Sequence, residues 1–435
     1  MISDKPGNLN NNIPSKKNLL LFLLICVISG YALWGAPLVP FHPDESTYLY
    51  MSSDFERLFS QPLSLAYSGE NIQDERQRYR LIDAPLTRYY LGLVRTVSKL
   101  DALIHDWDWS ATWDVNQSIG AGPQAELLTT SRIAISLLFP FCLMIIFLIG
   151  QEMHTYSTGI LAVLLFGLHP LVLLHNRRLM AEGWLTLGIL LTIWGALQAE
   201  RRPWLAGLGL AVAFAAKHSA LLLLPVGLAA VLAPALLEKN KFGKSVLHLS
   251  QFLGVFLVMT ILLNPVFWRE PLQAGLAAWQ ARTDLLTRQV EDSNQTESVN
   301  PVQQASMRLG TVIANLYLVP PAMYEVGNYR VETADSQEIY LDIPGHNLLR
   351  GPIGAGTSLF LTLMGLVFSL RSFKTLTTRQ KTAHGILWLS GFLLLFGSLA
   401  LVPLPWQRYV VPLVPITTLW MAYGLTRNSS VKETK

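Results

Sequence analysis

The stretch "NLLLFLLICVISGYALWGAPLVPFHPDESTYLYM", residues 18–51, runs from an unbroken apolar segment into a loop that opens with adjacent carboxylates, Asp44 and Glu45. About 20 helical residues cross the hydrocarbon core of a bilayer, so the apolar segment is long enough to span it. Two lysines precede this segment and no small-residue cleavage site follows it. These features predict a retained first span and not a signal peptide. The two acids therefore stand where the chain leaves the lipid.

The composition is that of a membrane protein. Of the 435 residues, 51% are hydrophobic and 14% are charged, whereas soluble domains carry roughly 25% charged residues. The net charge of +4 arises from cations in loops and not from a basic tract, which argues against a nucleic-acid partner. Both cysteines lie in apolar runs, so no disulfide is predicted. The fold class predicted is an all-α polytopic membrane protein.

Charge and hydropathy together predict a topology of about 10–11 transmembrane helices. Apolar runs place spans near residues 18–36, 127–150, 157–176, 181–199, 204–216, 218–237, 246–264, 351–370, 383–402 and 409–425. With a cytoplasmic N-terminus, the inner segments hold 15 Lys and Arg residues, and the short outer turns hold only Arg177, Arg178, Lys217 and Arg408. This positive-inside bias predicts a multi-pass inner or plasma membrane protein whose two long loops lie outside.

The topology divides the chain into four parts. We predict a cytoplasmic tail over 1–17, a catalytic transmembrane module over 18–264 with the outer loop 37–126, a second outer loop over 265–350, and C-terminal transmembrane helices with a short tail over 351–435.

The first outer loop contains two amphipathic patterns. Apolar residues recur at helical spacing from Asp44 to Leu58 and again over residues 85–104. In the second segment Arg88 and Arg95 lie on the opposite face, and each would cost roughly 2.5–3.5 kcal/mol at the bilayer centre. Both segments are therefore predicted to lie on the outer membrane surface. The second outer loop could cover the site or receive the acceptor, or it could be a connector with one more interfacial helix at 271–288.

The acids of this loop allow two interpretations. Acids directly after Pro43 stabilise a helix N-terminus by a few tenths to about 1 kcal/mol. Alternatively, Asp44 lies four residues before Tyr48, so it begins the apolar stripe and faces a lipid-borne substrate, while Glu45 points to the more polar flank. Asp83 is either the N-cap of the second helix or a second acid of the same site.

Five short motifs extend the pattern along the chain. They are "DAPLTRYYLG" at 83–92, "SRIAISLL" at 131–138, "AVAFAAKHSALLLLP" at 211–225, "NPVFWREPL" at 264–272 and "LPWQRYVVPLVP" at 404–415. Together with the Asp-Glu pair they resemble the GT-C membrane glycosyltransferases, nearest to the protein O-mannosyltransferase and aminoarabinose-transferase groups. Where those groups carry His or Lys after the second acid, this chain has Ala84.

The resemblance implies a reaction and a set of residues. It implies a GT-C fold, a sugar donor joined to a polyprenyl phosphate, and transfer on the outer side of the membrane to a protein, lipid or glycan acceptor. It makes Asp44 the catalytic carboxylate, places Asp83 as the second acid and matches Lys217 to the outer lysine of the family. Our catalytic candidates are therefore Asp44, Glu45 and Asp83.

Sugar transfer from a lipid phosphate requires a base for the acceptor hydroxyl and cations for the departing phosphate. Asp44, held near lipid, is expected to have a pKa raised by desolvation. Candidate substrate contacts are Tyr48, Arg88, Arg177, Arg178, Lys217 and Arg408. Snorkelling to lipid headgroups is the alternative role for these cations. Glu182 is expected to be the counter-ion of Arg177 and Arg178.

No metal or other cofactor is expected to be obligatory, because no two histidines show paired ligand spacing and cations alone can bind a monophosphate. Two other functions stay open from the sequence. The chain could move lipid-linked sugars as a flippase or transporter, although it shows no internal repeat of the kind found in transporters. It could also be a degenerate relative acting as a scaffold, given Ala84.

Overall fold

The computed structural model describes residues 16–69, 75–237, 242–296, 305–321, 329–400, 404 and 406–427, and within these ranges it is helical, with no strand. Most of the predicted N-terminal tail, residues 428–435 and the end of the predicted span 383–402 lie outside the described residues.

The helices of the described residues are, in chain order, α1 (Lys16–Trp34), α2 (Pro43–Met51), α3 (Asp54–Ser60), α4 (Glu75–Ile82), α5 (Leu86–Ser98), α6 (Trp113–Ser118), α7 (Ala125–Ser136), α8 (Phe139–Met153), α9 (Tyr156–Gly167), α10 (Pro170–His175), α11 (Glu182–Leu197), α12 (Trp204–Ala216), α13 (Leu224–Leu237), α14 (Phe242–Leu263), α15 (Pro271–Thr296), α16 (Ala305–Ile313), α17 (Ala334–Asp342), α18 (Gly351–Ser372), α19 (Thr378–Ala400) and α20 (Val414–Thr426). Short 3-10 helices cover Pro62–Leu65, His218–Leu223, Pro265–Phe267, Phe373–Thr375 and Gln407–Leu413, and a π-helix covers Ala314–Leu318.

Every predicted span coincides with an apolar helix. Six helical segments of the described residues are long and apolar enough to cross a membrane, namely Lys16–Trp34, Ala125–Met153, Phe242–Leu263, Gly351–Thr375, Thr378–Ala400 and Gln407–Thr426. Four shorter apolar helices fall on the remaining predictions, namely Tyr156–Gly167, Glu182–Leu197, Trp204–Ala216 and His218–Ala233. The protein is therefore an all-helical membrane protein, as the sequence predicts.

The first amphipathic segment forms two helices and not one. α2 ends at Met51 and α3 begins at Asp54. At the break the Ser52 hydroxyl donates to the Leu49 carbonyl (2.5 Å) and the Ser53 hydroxyl to the Tyr50 carbonyl (3.1 Å). Hydroxyls that bond nearby backbone in this way compete with helix continuation.

The second amphipathic helix, α5, ends earlier than predicted because Lys99 adopts a left-handed backbone, with φ of 57°. Its cations turn into the protein: Arg88 is 2% exposed and Arg95 is 3% exposed, while Val97 on the other face is 74% exposed. Arg95 pairs with Glu56 at 2.8 Å, and Arg88 lies 3.5 Å from an Asp54 oxygen. The outward face is therefore apolar, as expected of a helix that borders lipid.

Small residues let the spanning helices approach closely. A Cβ added at Gly188 of α11 would lie 2.4 Å from the Ala213 backbone nitrogen of α12, and one added at Gly365 of α18 would lie 1.9 Å from the Trp420 carbonyl oxygen of α20. Close backbone packing of this kind is typical of helix pairs in membranes. α11 also contacts the 3-10 helices His218–Leu223 and Gln407–Leu413.

We predict that Gly365→Ala destabilises the protein by about 1–3 kcal/mol, because the new methyl group must displace the α20 backbone. Thermal unfolding in detergent measures this. Gly356→Ala is the matched control on the same helix, since a Cβ there meets nothing within 4 Å. The control should be neutral or slightly stabilising, and equal losses for the two variants would contradict the packing argument.

Candidate active site

The two acids of the opening stretch sit in the first turn of α2, which starts at Pro43. His42 caps the helix: its Nδ1 accepts from the Asp44 amide (3.1 Å), and its own amide donates to Glu45 Oε2 (3.0 Å). The helix-start interpretation therefore holds for Glu45, whose carboxylate completes the capping box.

Glu45 is locked inside the protein. It is 0% exposed, and Arg132 of α7 binds it with two bonds, Nε to Oε1 at 2.8 Å and Nη2 to Oε2 at 2.5 Å. The Leu179 amide also donates to Oε1 (3.1 Å). Burial would raise the pKa of Glu45, but the charge and hydrogen bonds of Arg132 outweigh it and hold the pKa below its usual range. Glu45, predicted as a catalytic candidate, is thus placed as a clamp between α2 and α7.

Asp44 points elsewhere, because adjacent helical residues are about 100° apart. Its carboxylate accepts from Arg408 Nη1 at 2.5 Å. The Asp44 side chain is 26% exposed and that of Arg408 is 12% exposed. The Arg408 guanidinium also lies 4.8 Å from the centre of the Trp406 ring. Asp44 therefore belongs to a partly exposed ion pair, whereas the neighbouring Glu45 is fully buried.

The expected raised pKa of Asp44 is wrong for this structure. Burial does raise it, but the charge of Arg408, with a smaller contribution from His42, lowers it further than burial raises it. Desolvation near lipid is therefore only one influence on Asp44, and the cation supplied from the opposite end of the chain outweighs it.

Lys217 forms a second ion pair beside the first. Its Nζ lies 2.5 Å from Glu182 Oε1 and 5.5 Å from the centre of the Tyr409 ring. Arg408 lies 5.6 Å from the same ring. Glu182, expected to neutralise Arg177 and Arg178, instead pairs with Lys217. Lys217 and Arg408 therefore share one aromatic neighbour.

Asp83 lies in the turn between α4 and α5, close enough to Asp44 and Arg408 for their charges to shift its pKa. It is not the N-cap of α5, a position taken by Pro85. Arg88 Nη1 donates to the Asp83 carbonyl at 3.1 Å, which fixes the turn. Burial raises the pKa of Asp83, and the charge of Asp44 raises it further, against the opposing charges of Arg282, Arg88 and Arg408. The pKa values of Asp44 and Asp83 are thus shifted in opposite directions.

Arg282 belongs to the same group and was not predicted. It lies on α15, and its Nη2 approaches the Tyr409 hydroxyl at 3.5 Å. Its charge is the largest one acting on Asp83. A signal was present in the sequence: Ala274 and Ala278, which precede it at four-residue spacing, form the buried face of α15. Small residues at that spacing mark the side of the helix that packs on the protein.

The other predicted cations lie outside this group. Arg177 and Arg178 are both 0% exposed. Arg177 donates to the Tyr31 carbonyl (2.7 Å) and the Tyr340 hydroxyl (3.1 Å), and contacts His346 Nε2 (2.6 Å). It therefore ties the second outer loop to α1 and does not snorkel to headgroups. Arg178 lies close enough to Glu45 to lower the pKa of that carboxylate.

Tyr48, also predicted as a substrate contact, lies close to Asp44, Asp83 and Glu182. Burial raises its pKa well above the ordinary value, and the charges of Asp83, Glu182 and Asp44 add to that shift. We call the group formed by Asp44, Tyr48, Asp83, Glu182, Lys217, Arg282, Arg408 and Tyr409 the Asp44 cluster. Within the described part of the chain, no group of three or more His, Cys, Asp or Glu residues could hold a metal ion.

Comparison with solved structures shows that this helical bundle has the GT-C fold. The chain is similar to ArnT from Cupriavidus metallidurans bound to undecaprenyl phosphate, with 13% identity and a TM-score of 0.55, over 96% of this chain and 61% of ArnT. It is also similar to the oligosaccharyltransferase AglB from Archaeoglobus fulgidus in complex with an inhibitory peptide and a dolichol-phosphate, with 11% identity and a TM-score of 0.51, over 97% of this chain and 52% of AglB.

The GT-C fold expected from the motifs is thereby confirmed. The chain spans about 61% of the length of ArnT and about half of AglB. No protein-family model matches the sequence, and no curated protein matches it.

We predict that Glu45→Gln destabilises the protein by about 3–5 kcal/mol, because it leaves the buried Arg132 without its counter-charge. Unfolding in detergent, followed by the loss of helical circular dichroism, measures the change. Glu152→Gln is the matched control: it also removes the acid of an arginine pair, but the partner, Arg379, is 69% exposed and stays solvated. That pair should contribute only about 0–1 kcal/mol. A Glu45→Gln variant as stable as the control would refute the clamp.

Proposed function

We propose that the protein is a membrane glycosyltransferase that moves a sugar from a polyprenyl-phosphate donor to an acceptor hydroxyl on the outer side of the membrane. One observation carries the proposal. The Asp44 cluster combines three cations, Lys217, Arg282 and Arg408, with two acids whose pKa values are shifted in opposite directions. Separated pKa values within one site are typical of acid and base roles in catalysis.

The cations supply what the leaving group needs. When the bond between sugar and phosphate breaks, negative charge grows on the phosphate, and cations already in place stabilise it. The arginines can bind phosphate oxygens with two donors each, and Lys217 acts as a point charge. Arg282 also compensates for Ala84: it brings a cation from α15 to the side of Asp83 that the resemblance leaves uncharged.

Asp44 is the base in this proposal, and the donor activates it. In the free protein, Arg408 lowers the pKa of Asp44, which makes the carboxylate a weak proton acceptor. A donor phosphate that binds Arg408 neutralises that cation and adds a negative charge nearby, and both changes raise the pKa of Asp44. The carboxylate then accepts the proton of the acceptor hydroxyl as the oxygen attacks the sugar.

Asp83 is the supporting acid. Burial raises the pKa of Asp83, and once this acid is protonated it does not repel a phosphate and can donate a hydrogen bond to it. The outer location rests on the positive-inside bias of the loops. The lipid class rests on the fold, since the neighbouring structures contain undecaprenyl phosphate or dolichol-phosphate.

Asp44→Asn should lower the transfer rate by about 10²–10⁴-fold, the usual contribution of a general base. Binding of the donor should persist or tighten, because an anion beside Arg408 is removed. Membranes supplied with a labelled polyprenyl-phosphate sugar report transfer, and a filter assay reports donor binding.

Asp114→Asn is the control for this experiment, since Asp114 also lies in the first turn of a loop helix and is exposed. Transfer at the wild-type rate by Asp44→Asn would remove Asp44 from the mechanism. Movement of the labelled lipid across the membrane with no transfer by the wild type would favour the flippase.

Donor binding should weaken as the pH rises through the raised pKa of Asp83. Below that pKa the acid is neutral, whereas above it a carboxylate repels the phosphodiester, whose own charge is constant over this range. Equilibrium binding of the donor as a function of pH measures the effect. Asp83→Asn should bind the donor with a weaker pH dependence than the wild type, because Asp44 then remains as the acid of the pair that responds to the donor. A variant that keeps the full wild-type pH dependence would show that another group is responsible.

A further inference from the structure

A cavity of about 240 Å³ lies apart from the Asp44 cluster, and none of the cluster residues lines it. Its walls come from the end of α9, the start of α10, the π-helix Ala314–Leu318, the turn before α18, and the middle of α20. The volume is roughly eight times the ~30 Å³ that one water molecule occupies in the liquid. Leucines from α9 and the π-helix make most of the wall apolar, and His169, Tyr317 and Arg350 add polar groups.

The two terminal nitrogens of Arg350 have different surroundings. Its Nη1 donates to the Asn315 carbonyl (3.1 Å) and the Leu316 carbonyl (2.7 Å). Its Nη2 is buried and has no hydrogen-bond partner among the described residues. Burial lowers the pKa of Arg350 to about 10, so the group is still a cation at neutral pH. No carboxylate of the described ranges lies within ion-pair distance of it.

His169 faces the same cavity with a second unused polar atom. Its Nδ1 is buried and lacks a hydrogen-bond partner within the part of the chain that the structure describes. A buried donor left unpaired costs about 1–3 kcal/mol. Two such atoms in one cavity indicate that a polar ligand occupies it in the functioning protein.

The backbone around Arg350 holds its guanidinium at the cavity. The π-helix closes through a bond from the Val319 amide to the Ala314 carbonyl (2.9 Å), which leaves the Asn315 and Leu316 carbonyls free to hold Nη1. On either side of Arg350, Leu349 and Gly351 adopt left-handed backbones, with φ of 57° and 75°. For leucine that conformation is strained, and strain of this kind is retained mostly at ligand clamps and other functional sites.

We propose that this cavity binds the phosphate head of an anionic single-chain lipid, with a phosphate oxygen accepting from Arg350 Nη2 and the first part of the chain lying along Leu168 and Met421. Arg350 directly precedes the spanning helix α18, so it lies at the lipid boundary, where cations meet headgroups. The apolar wall on α9 and α20 lies within spanning segments, so it suits a hydrocarbon chain. This site is separate from the proposed transferase site and does not depend on it.

The test uses the full chain in detergent and a photoreactive probe, dodecyl phosphate with a diazirine on the first carbons of its chain, next to the phosphate. Illumination and peptide mapping should place the label on the segment 164–168 or on Met421. Arg350→Gln should lower that labelling about tenfold, because a charge-assisted hydrogen bond is lost. Arg308→Gln, which removes another arginine bonded to a backbone carbonyl, should leave the labelling unchanged. So should Arg408→Gln in the Asp44 cluster.

A second variant keeps the proposal testable if Arg350→Gln does not fold. Ser358 lines the cavity from α18, whereas its neighbour Thr357 is exposed and does not. Ser358→Leu should therefore abolish the labelling, and Thr357→Leu should preserve it.

Three results would overturn the proposal. The first is equal labelling by the diazirine-bearing alcohol that lacks the phosphate. The second is complete competition by inorganic phosphate at the concentration of the probe, which would make this a site for the free ion. The third is labelling lost in Arg408→Gln but kept in Arg350→Gln, which would assign the lipid to the Asp44 cluster alone.

Discussion

The bidentate pair between Glu45 and Arg132 is the interaction on which the arrangement of the site depends. Both groups are buried, so separating them would leave a charge in a medium of low dielectric constant. The pair fixes the rotation of α2 about its own axis. Because Asp44 is the adjacent residue, that rotation decides where Asp44 points, and it points to Arg408. Glu45 thus determines the direction in which the Asp44 side chain points.

The same rule, that charges near the bilayer must be paired, organises the outer end of the bundle. Asp54 receives the two nitrogens of Arg80 at 2.9 and 2.7 Å, and Glu182 receives Lys217. The pairs of Arg88 with Asp54 and of Arg95 with Glu56 draw the polar side of α5 into the protein and leave its apolar side outward. The pairs made by Asp54 and Glu45 are buried, whereas the Asp44 cluster is partly exposed. In the proposed function, a phosphate can therefore exchange partners at the cluster without first unfolding the surroundings.

The spans and the fold class could be predicted from the sequence because hydropathy is a local property, and the bundle has an apolar helix at each predicted position. The charge bias of the loops places Asp44, Asp83, Lys217 and Arg408 on the same side of the membrane, and the resemblance suggests that they belong to one site. The pKa of Asp44 could not be predicted, since it depends on a residue 364 positions away. The role of Arg132 could not be predicted, because nothing local shows that an arginine on an apolar helix has a buried partner. The proximity of Arg177 and Glu182 in the sequence favours a pair between them, but their actual partners lie on other segments.

The distance along the chain between Asp44 and Arg408 has a consequence for biosynthesis. Asp44 leaves the ribosome early, whereas Arg408 lies just before the last spanning helix, α20. During most of synthesis and membrane insertion, Asp44 lacks its partner Arg408, and the Asp44 cluster is incomplete. Under the proposed function, a chain that ends before Arg408 lacks one of the cations that bind the donor phosphate. Synthesis of the last segment would then be the step that completes the site.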